Sequence, residues 1–357
     1  MQFPILKNRK LICIYKYKMK DNHKLLFIIA LCVCIVFIYK YSWKLQLMFN
    51  TLSIGMYTPD TFKIINGKEN ILHQRFIKGK QIASRSKIII ALLLRNVEGC
   101  IPTIIKKLKS VCSAFHDYKI LIVENDSNDN TRKFLLHYAS KDNKLVILGC
   151  GVNVNECHIQ GIASIATEGH SINKNRIDKM IMLRNIYLDY IKRNIDLHSF
   201  DYTIIWDLDT IGSVYLDGIL DSIYELNLQK NVSAICAHGI YRWLGILPLY
   251  YDTYAHQDFN DDFHIDNKLS HDIKKGLSVG LGYTRGYDCV NVKSCFSGFT
   301  IYRTQHLILS SYTESSKNTT INENTNNINC EHVNLNGKLP GKILMNPNMI
   351  NLVLLNK

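Results

Sequence analysis

The sequence predicts an α/β fold: a mostly parallel sheet with helices on both faces. Three observations predict it. Beyond residue 87, apolar runs of strand length alternate with longer segments whose apolar residues recur at helical spacing. The runs themselves are nearly free of polar residues, as strands covered on both faces are. Finally, 47% of the 357 residues are hydrophobic, 20% are charged and only 6 are proline, which excludes wholesale disorder, a collagen-like rod and a disulfide mini-protein.

The elements follow in order. Lys87–Leu94 (KIIIALLL) is a buried strand, and Ile101–Phe115 is a helix with Pro102 in its first turn, where the missing N–H costs nothing. Tyr118–Val123 is the next strand. Asn125–Asn130 is a turn cluster in which Asp129 or Asn130 can cap the helix starting at Thr131. Lys144–Leu148 is a third strand, Asn173–Arg193 a longer helix, Tyr202–Trp206 a fourth strand and Ser213–Leu226 a further helix. The last third is less regular: Gly298–Tyr302 reads as a strand and residues 310–329, rich in Ser, Thr and Asn, as a mobile loop.

The net charge of +13 invites a nucleic-acid reading, but its distribution removes it. Residues 1–24 carry +6, residues 25–87 carry +7, and the remainder is neutral. No nucleic-acid partner is therefore expected. The basic front end instead precedes an uncharged apolar run, Leu25–Tyr39, followed by Tyr41 and Trp43 as interfacial aromatics. The expected layout is a basic cytoplasmic tail (1–24), a single transmembrane signal anchor (25–43), a polar stem (44–86) and a large folded domain (87–357). The expectation is a type II membrane protein with that domain in a Golgi- or ER-like lumen; a cleaved signal peptide is the rival reading. Eight of the 11 cysteines follow the apolar run, and none forms a CxxC, which disfavours zinc. Pairing in an oxidising lumen is open, with no connectivity deducible.

In a doubly wound sheet, ligands sit beyond the carboxyl ends of the strands. Asp207-Leu-Asp209 lies there, directly after the fourth strand, and in extended backbone both carboxylates face one way. They suit Mn²⁺ or Mg²⁺ with bound phosphates; two solvated acids at a strand exit are the plain alternative. Glu124 and Asp126 follow the second strand and can accept hydrogen bonds from a nucleoside, or simply form a turn and cap. Arg184, with Asn185 beside it, falls within the apolar stripe Ile177, Ile181, Leu188, Ile191 and needs a partner, either a diphosphate or a buried acid. Ser297 and Gly298 sit between Phe296 and Phe299, where a glycine permits close approach to a ligand. In Cys330-Glu331-His332, Glu331 can act as a general base and His332 can complete a metal shell.

Together these segments resemble nucleotide-sugar glycosyltransferases of the GT-A fold, including family 2-like enzymes. VENDSNDNT, KMIMLRNIYLDYI and DYTIIWDLDT carry the resemblance. Tyr250–Ala255 (YYDTYA), Val292–Arg303, Cys330–Leu335 and Ile343–Pro347 continue it in an order similar to the fungal capsule mannosyltransferases of glycosyltransferase family 69. The chain departs from that family in Asp-Leu-Asp, where Asn-Asp-Val is usual, and in Phe296, where Trp is favoured. The resemblance implies that Asp207 and Asp209 of the DxD motif hold the metal and donor diphosphate, with Asp209 and Glu331 catalytic and His332 on the metal side. It places Glu124, Asp126, Arg184, Asn185, Ser297 and Gly298 around a nucleoside diphosphate sugar donor. A hexose (mannose, glucose or galactose) would pass to a glycan, protein or lipid hydroxyl. The alternatives are a degenerate scaffold or glycan-binding protein, and a sugar nucleotidyltransferase. The single glycine in Leu94–Gly99 counts against the latter.

Overall fold

The structure, a computed structural model, describes residues 64–150, 156–162, 174–208, 214–243, 247–259, 268–314 and 329–353. The basic tail 1–24, the anchor segment 25–43 and the stem as far as residue 63 lie outside the described residues. Among the described residues no helix is long and apolar enough to cross a membrane.

The first half keeps the predicted rhythm. After a helix α1 (Glu69–Ala83) come β1 (Lys87–Leu94), α2 (Ile101–Cys112), β2 (Asp117–Glu124), α3 (Thr131–Ala139), β3 (Leu145–Leu148), α4 (Lys174–Arg193), β4 (Tyr202–Trp206) and α5 (Leu216–Leu228). β1 pairs in parallel with β2 and β4, and β2 with β3. The period-2 alternation divides β1 between two cores. Ile88, Ile90, Leu92 and Leu94 pack with Leu108, Ile219 and Ile223 on one face; Ile89 and Ala91 pack with Ile177, Ile181 and Leu188 on the other. Helices therefore do cover both faces.

The second half departs from a mostly parallel sheet. It adds β5 (Val232–Trp243), β6 (Leu247–Tyr250), α6 (Lys268–Gly282), β7 (Val290–Val292), β8 (Phe299–Arg303), α7 (Thr304–Leu307), α8 (Glu331–Asn336) and β9 (Lys342–Val353). The strand order is β3-β2-β1-β4-β8-β5-β9-β7, with β6 on β5. Four of the eight pairings are antiparallel, so the sheet is mixed. β9 escapes the sequence reading because Asn346-Pro347-Asn348 interrupts its apolar pattern. The structure places these residues at a register shift against β5, where Pro347 can be accommodated.

The predicted stem, 44–86, needs correction at its end. Residues 69–83 form α1, which lies on α5. A Cβ on Gly79 would sit 1.9 Å from the carbonyl oxygen of Leu220, so only glycine lets the two helices meet. α1 buries little apolar surface (Leu72, Gly79, Ala83), and Leu72 contributes only about 1.5–3 kcal/mol. Charge provides the rest. Arg75 Nε donates to Asp221 at 2.6 Å, and its Nη2 pairs with Glu225 at 2.6 Å. Asp221 is fully buried and also accepts from Asn346 at 2.9 Å and Asn348 at 3.1 Å, so the polar interruption in β9 anchors the first helix.

The predicted mobile loop 310–329 is also anchored at its start. Tyr312 is buried with its hydroxyl 3.1 Å from that of Tyr187, while residues 315–328 lie outside the described residues. Two disulfides form, Cys150–Cys157 and Cys236–Cys295. The second ties the middle of β5 to the residue before Phe296.

Candidate functional site

β1, β2 and β4 are parallel, so the residues that follow them emerge at one edge of the sheet. β8 runs antiparallel to β4 with Phe299 opposite Trp206, which brings Ser297 and Gly298 to the same edge. The N–H of Asp207 donates to the carbonyl of Gly298 at 2.9 Å. A mark invisible in the sequence singles out this edge. Among the described residues four non-glycine residues hold positive φ: Asn96 after β1, Asp126 after β2, Asp252 after β6 and Ser297 before β8. Backbone strain of this kind concentrates at functional sites.

Arg184 is the hub. It lies on the buried stripe of α4, three residues after Ile181 and four before Leu188, and is 2% exposed. Its Nε donates to Glu331 Oε1 at 3.0 Å, and its Nη2 reaches Asp207 Oδ1 at 3.2 Å and Oδ2 at 3.4 Å. The guanidinium lies 5.1 Å from the centroid of the Phe296 ring, and Nη1 is buried without a hydrogen-bond partner. Burial pulls its pKa down, but the charges of Asp207 and Glu331 outweigh this and raise it well above the ordinary value. Of the two partners foreseen for this arginine, the structure supplies the acid: it pairs the buried Glu331 and the half-buried Asp207.

His332 stacks on Phe296 with centroids 3.6 Å apart and meets Tyr312 edge-on at 5.5 Å. Both ring nitrogens are buried without a hydrogen-bond partner, with Nε2 3.7 Å from Glu331 Oε1. Burial, helped by Arg184, lowers its pKa well below the ordinary value, so the ring is neutral and retains a lone pair for a ligand. A hard carboxylate oxygen from Asp207 and an orphaned neutral imidazole are donors of the right chemistry for Mn²⁺. Asp209 lies outside the described residues, and among the described residues no group of three His, Cys, Asp or Glu side chains is arranged to hold a metal.

Asp252, which sequence reasoning did not single out, joins this cluster. The residue is only half-buried, yet its carboxyl is desolvated and feels the negative charges of Glu331 and Asp207, which push it up to about 8. Between the ordinary value of 3.8 and about 8, the folded protein holds a proton that the unfolded chain has released, so this group's contribution to stability falls as pH rises. Asp252→Asn is therefore expected to melt above wild type near pH 8 in EDTA. The gain should shrink towards about pH 5; a gain independent of pH would contradict the protonation account. The only signal in the sequence was an acid set among aromatics in Tyr250–Ala255.

Two expected donor residues are used elsewhere. Glu124 is fully buried, with Oε2 held by Arg132 at 2.9 Å and Oε1 by the N–H of Ser127 at 3.2 Å, so both oxygens are spent shaping the turn. Asn185 spends its amide on the backbone of Tyr312, donating at 2.9 Å and accepting at 3.1 Å. Asp126 stays at the surface edge. Hydrogen bonds from His158 and Lys179, both at 2.9 Å, overcome burial and hold its carboxyl below the usual range. Ser297 donates to the Tyr250 hydroxyl, and its carbonyl accepts from Asn351 at 2.7 Å. Gly298 has φ 71°, and a Cβ there would stand 3.0 Å from Asn351 and 3.3 Å from the Tyr251 ring. These two residues form the tight loop between Asp207 and Asp252.

No curated protein matches the chain by sequence. Among solved structures, a mannosyltransferase from Pyrobaculum calidifontis in complex with GDP-Man and Mn²⁺ is similar at 10% identity and a TM-score of 0.42, covering 81% of this chain and 66% of that one. TarS of S. aureus in complex with UDP-GlcNAc is similar at 12% identity and a TM-score of 0.37, covering 76% of this chain and 59% of that one. The chain thus spans less than two thirds of the length of either. The family described as cryptococcal mannosyltransferase 1 matches residues 87–333, which contain every described residue of the cluster. With more than half of its 357 residues inside that match, the chain belongs to this family.

Proposed function

We propose that the protein transfers a hexose, with mannose the leading candidate, from a nucleoside diphosphate sugar to a hydroxyl acceptor with the help of a divalent cation. The observation that carries this reading is the buried Arg184, which bridges Asp207 and Glu331 and keeps Nη1 unpartnered beside the orphaned ring of His332. A site with unspent buried donors and acceptors is organised for a charged polar ligand. Asp207, Asp209 and His332 would hold Mn²⁺ or Mg²⁺, which when bound would offset negative charge on the departing diphosphate. Arg184 would add a fixed positive charge on the same side, aimed at charge that develops as the bond to the diphosphate breaks. Asp126, with Lys179 and His158, would lie towards the nucleoside. Glu331, already paired with Arg184, would chiefly hold that arginine in place.

The layout we infer is a type II protein anchored through residues 25–43 with its catalytic domain in a lumen. The two disulfides support an oxidising compartment. The test uses the full chain in detergent with a panel of GDP- and UDP-sugars and Mn²⁺, reading nucleotide release. One donor should dominate, release should stop in EDTA, and Asp209→Asn should abolish it. Equal background release by wild type and Asp209→Asn across all donors, without donor binding, would sink the reading.

A further inference from the structure

Asp252 is the acid in this cluster for which the reading above has no use. It leaves β6 at φ 68°, and its carboxyl accepts the N–H groups of Ala255 and Ser297. Ser297 precedes Gly298, whose carbonyl takes the N–H of Asp207. The Phe296–Phe299 loop thus meets the Asp252 carboxyl through the N–H of Ser297 and the backbone N–H of Asp207 through the carbonyl of Gly298. A Cβ on Gly239 would stand 2.9 Å from that of Ser297 and 3.1 Å from that of Tyr251, so β5 presses the turn and the loop together.

The two sides differ in charge. Asp207 and Glu331 share Arg184. Among the described residues no lysine, arginine or histidine pairs with Asp252. The fold itself does not require an acid here: an asparagine side-chain oxygen could accept the same two N–H groups at lower cost. The carboxylate is therefore kept for something other than holding the turn. Independent of it, Arg184 Nη1 and both ring nitrogens of His332 are buried without a hydrogen-bond partner in the same cluster. Tyr251 packs its ring on Gly298, and the hydroxyl of Tyr254 lies within reach of the charges of Glu331 and Asp252.

We propose that Asp252 is the residue that receives the acceptor hydroxyl, taking a hydrogen bond from it and fixing its direction opposite the donor. The assignment rests on the glycosyltransferase reading above and adds a division of labour: Asp207 and Arg184 on the donor side of the loop, Asp252 on the acceptor side. A carboxyl group can accept that hydrogen bond and, once ionised, takes it more strongly than a neutral amide can. Directing the attacking oxygen is worth as much as any charge, since a misplacement of about 1 Å costs roughly 100-fold in rate.

Water is the smallest hydroxyl acceptor and serves as the probe. The full chain, as wild type, Asp252→Asn and Asp252→Glu, is compared for donor affinity by calorimetry with Mn²⁺, and for nucleoside diphosphate release by hydrolysis. Asp252→Asn should fold, bind the donor within about twofold of wild type, and release nucleotide about 100-fold more slowly. Asp252→Glu should recover part of that loss. Release within twofold of wild type overturns the assignment. So does a donor affinity that falls in step with the rate, which moves Asp252 to the donor side, or a lost cooperative melt, which makes it structural. A wild type that neither binds nor consumes any donor fails the parent reading instead, and this one with it.

Discussion

Arg184→Ala is expected to cut nucleotide release by about 10²–10³-fold and to destabilise the domain by about 3–5 kcal/mol. Both effects come from one geometry. The guanidinium is 2% exposed and bonded to Glu331 and Asp207, so its removal leaves two carboxylates facing each other and Asp252 without their counter-charge. Stability loss alone would lower activity, so the decisive variant is Arg184→Lys. It keeps the positive charge and most of the volume but cannot fork to two acids while presenting a third N–H group. It should restore much of the melting temperature and little of the rate. Arg184→Lys with wild-type kcat/KM would show that charge alone suffices and that the planar fork has no role.

Arg75→Ala is the second large effect, and it is one of stability. Asp221 is fully buried, and Arg75 is its cation. Removing that cation leaves the carboxylate with the Asn346 and Asn348 amides, which cannot neutralise it. A loss of about 3–5 kcal/mol follows, read as a shift of the urea midpoint. Arg75→Ala with Asp221→Asn should recover part of it, because the unpaired charge is then gone. A single-variant loss below about 1 kcal/mol would place the pair with ordinary surface ion pairs and detach α1 from the stability of the domain. Folded Arg75→Ala should transfer sugar at the wild-type rate, since α1 lies on α5, away from the Arg184 cluster.

These two arginines show how far a sequence reaches. Arg184 was legible because helical periodicity put a charge on an apolar stripe, and such a charge must find a partner. Its actual partners were not legible: Asp207 and Glu331 lie 23 and 147 residues away, and only the sheet brings them together. Arg75 was passed over as part of a polar stem because α1 has a weak apolar face. Its hold on the domain comes from Asp221 and Glu225, about 150 residues later. Glu124 misled for the converse reason. An acid at a strand end resembles a ligand residue, but Arg132, in the first turn of α3, takes its carboxylate inward.

By itself the sequence determined the α/β rhythm of β1 to β4 and the edge at which chemistry would be found, because periodicity, buried strand runs and strand-end motifs are local properties of the chain. It also carried enough ordered motifs to indicate the family. Tertiary structure alone decided the mixed second half of the sheet, the docking of α1, the place of Asp252 beside the Arg184 cluster and the partners that hold Glu124 and Asn185. Each of those rests on which charge or backbone group meets which across the fold, and burial sets the outcome: a carboxyl pushed up to about 8 and a neutral His332 are consequences of surroundings that no local stretch of sequence contains.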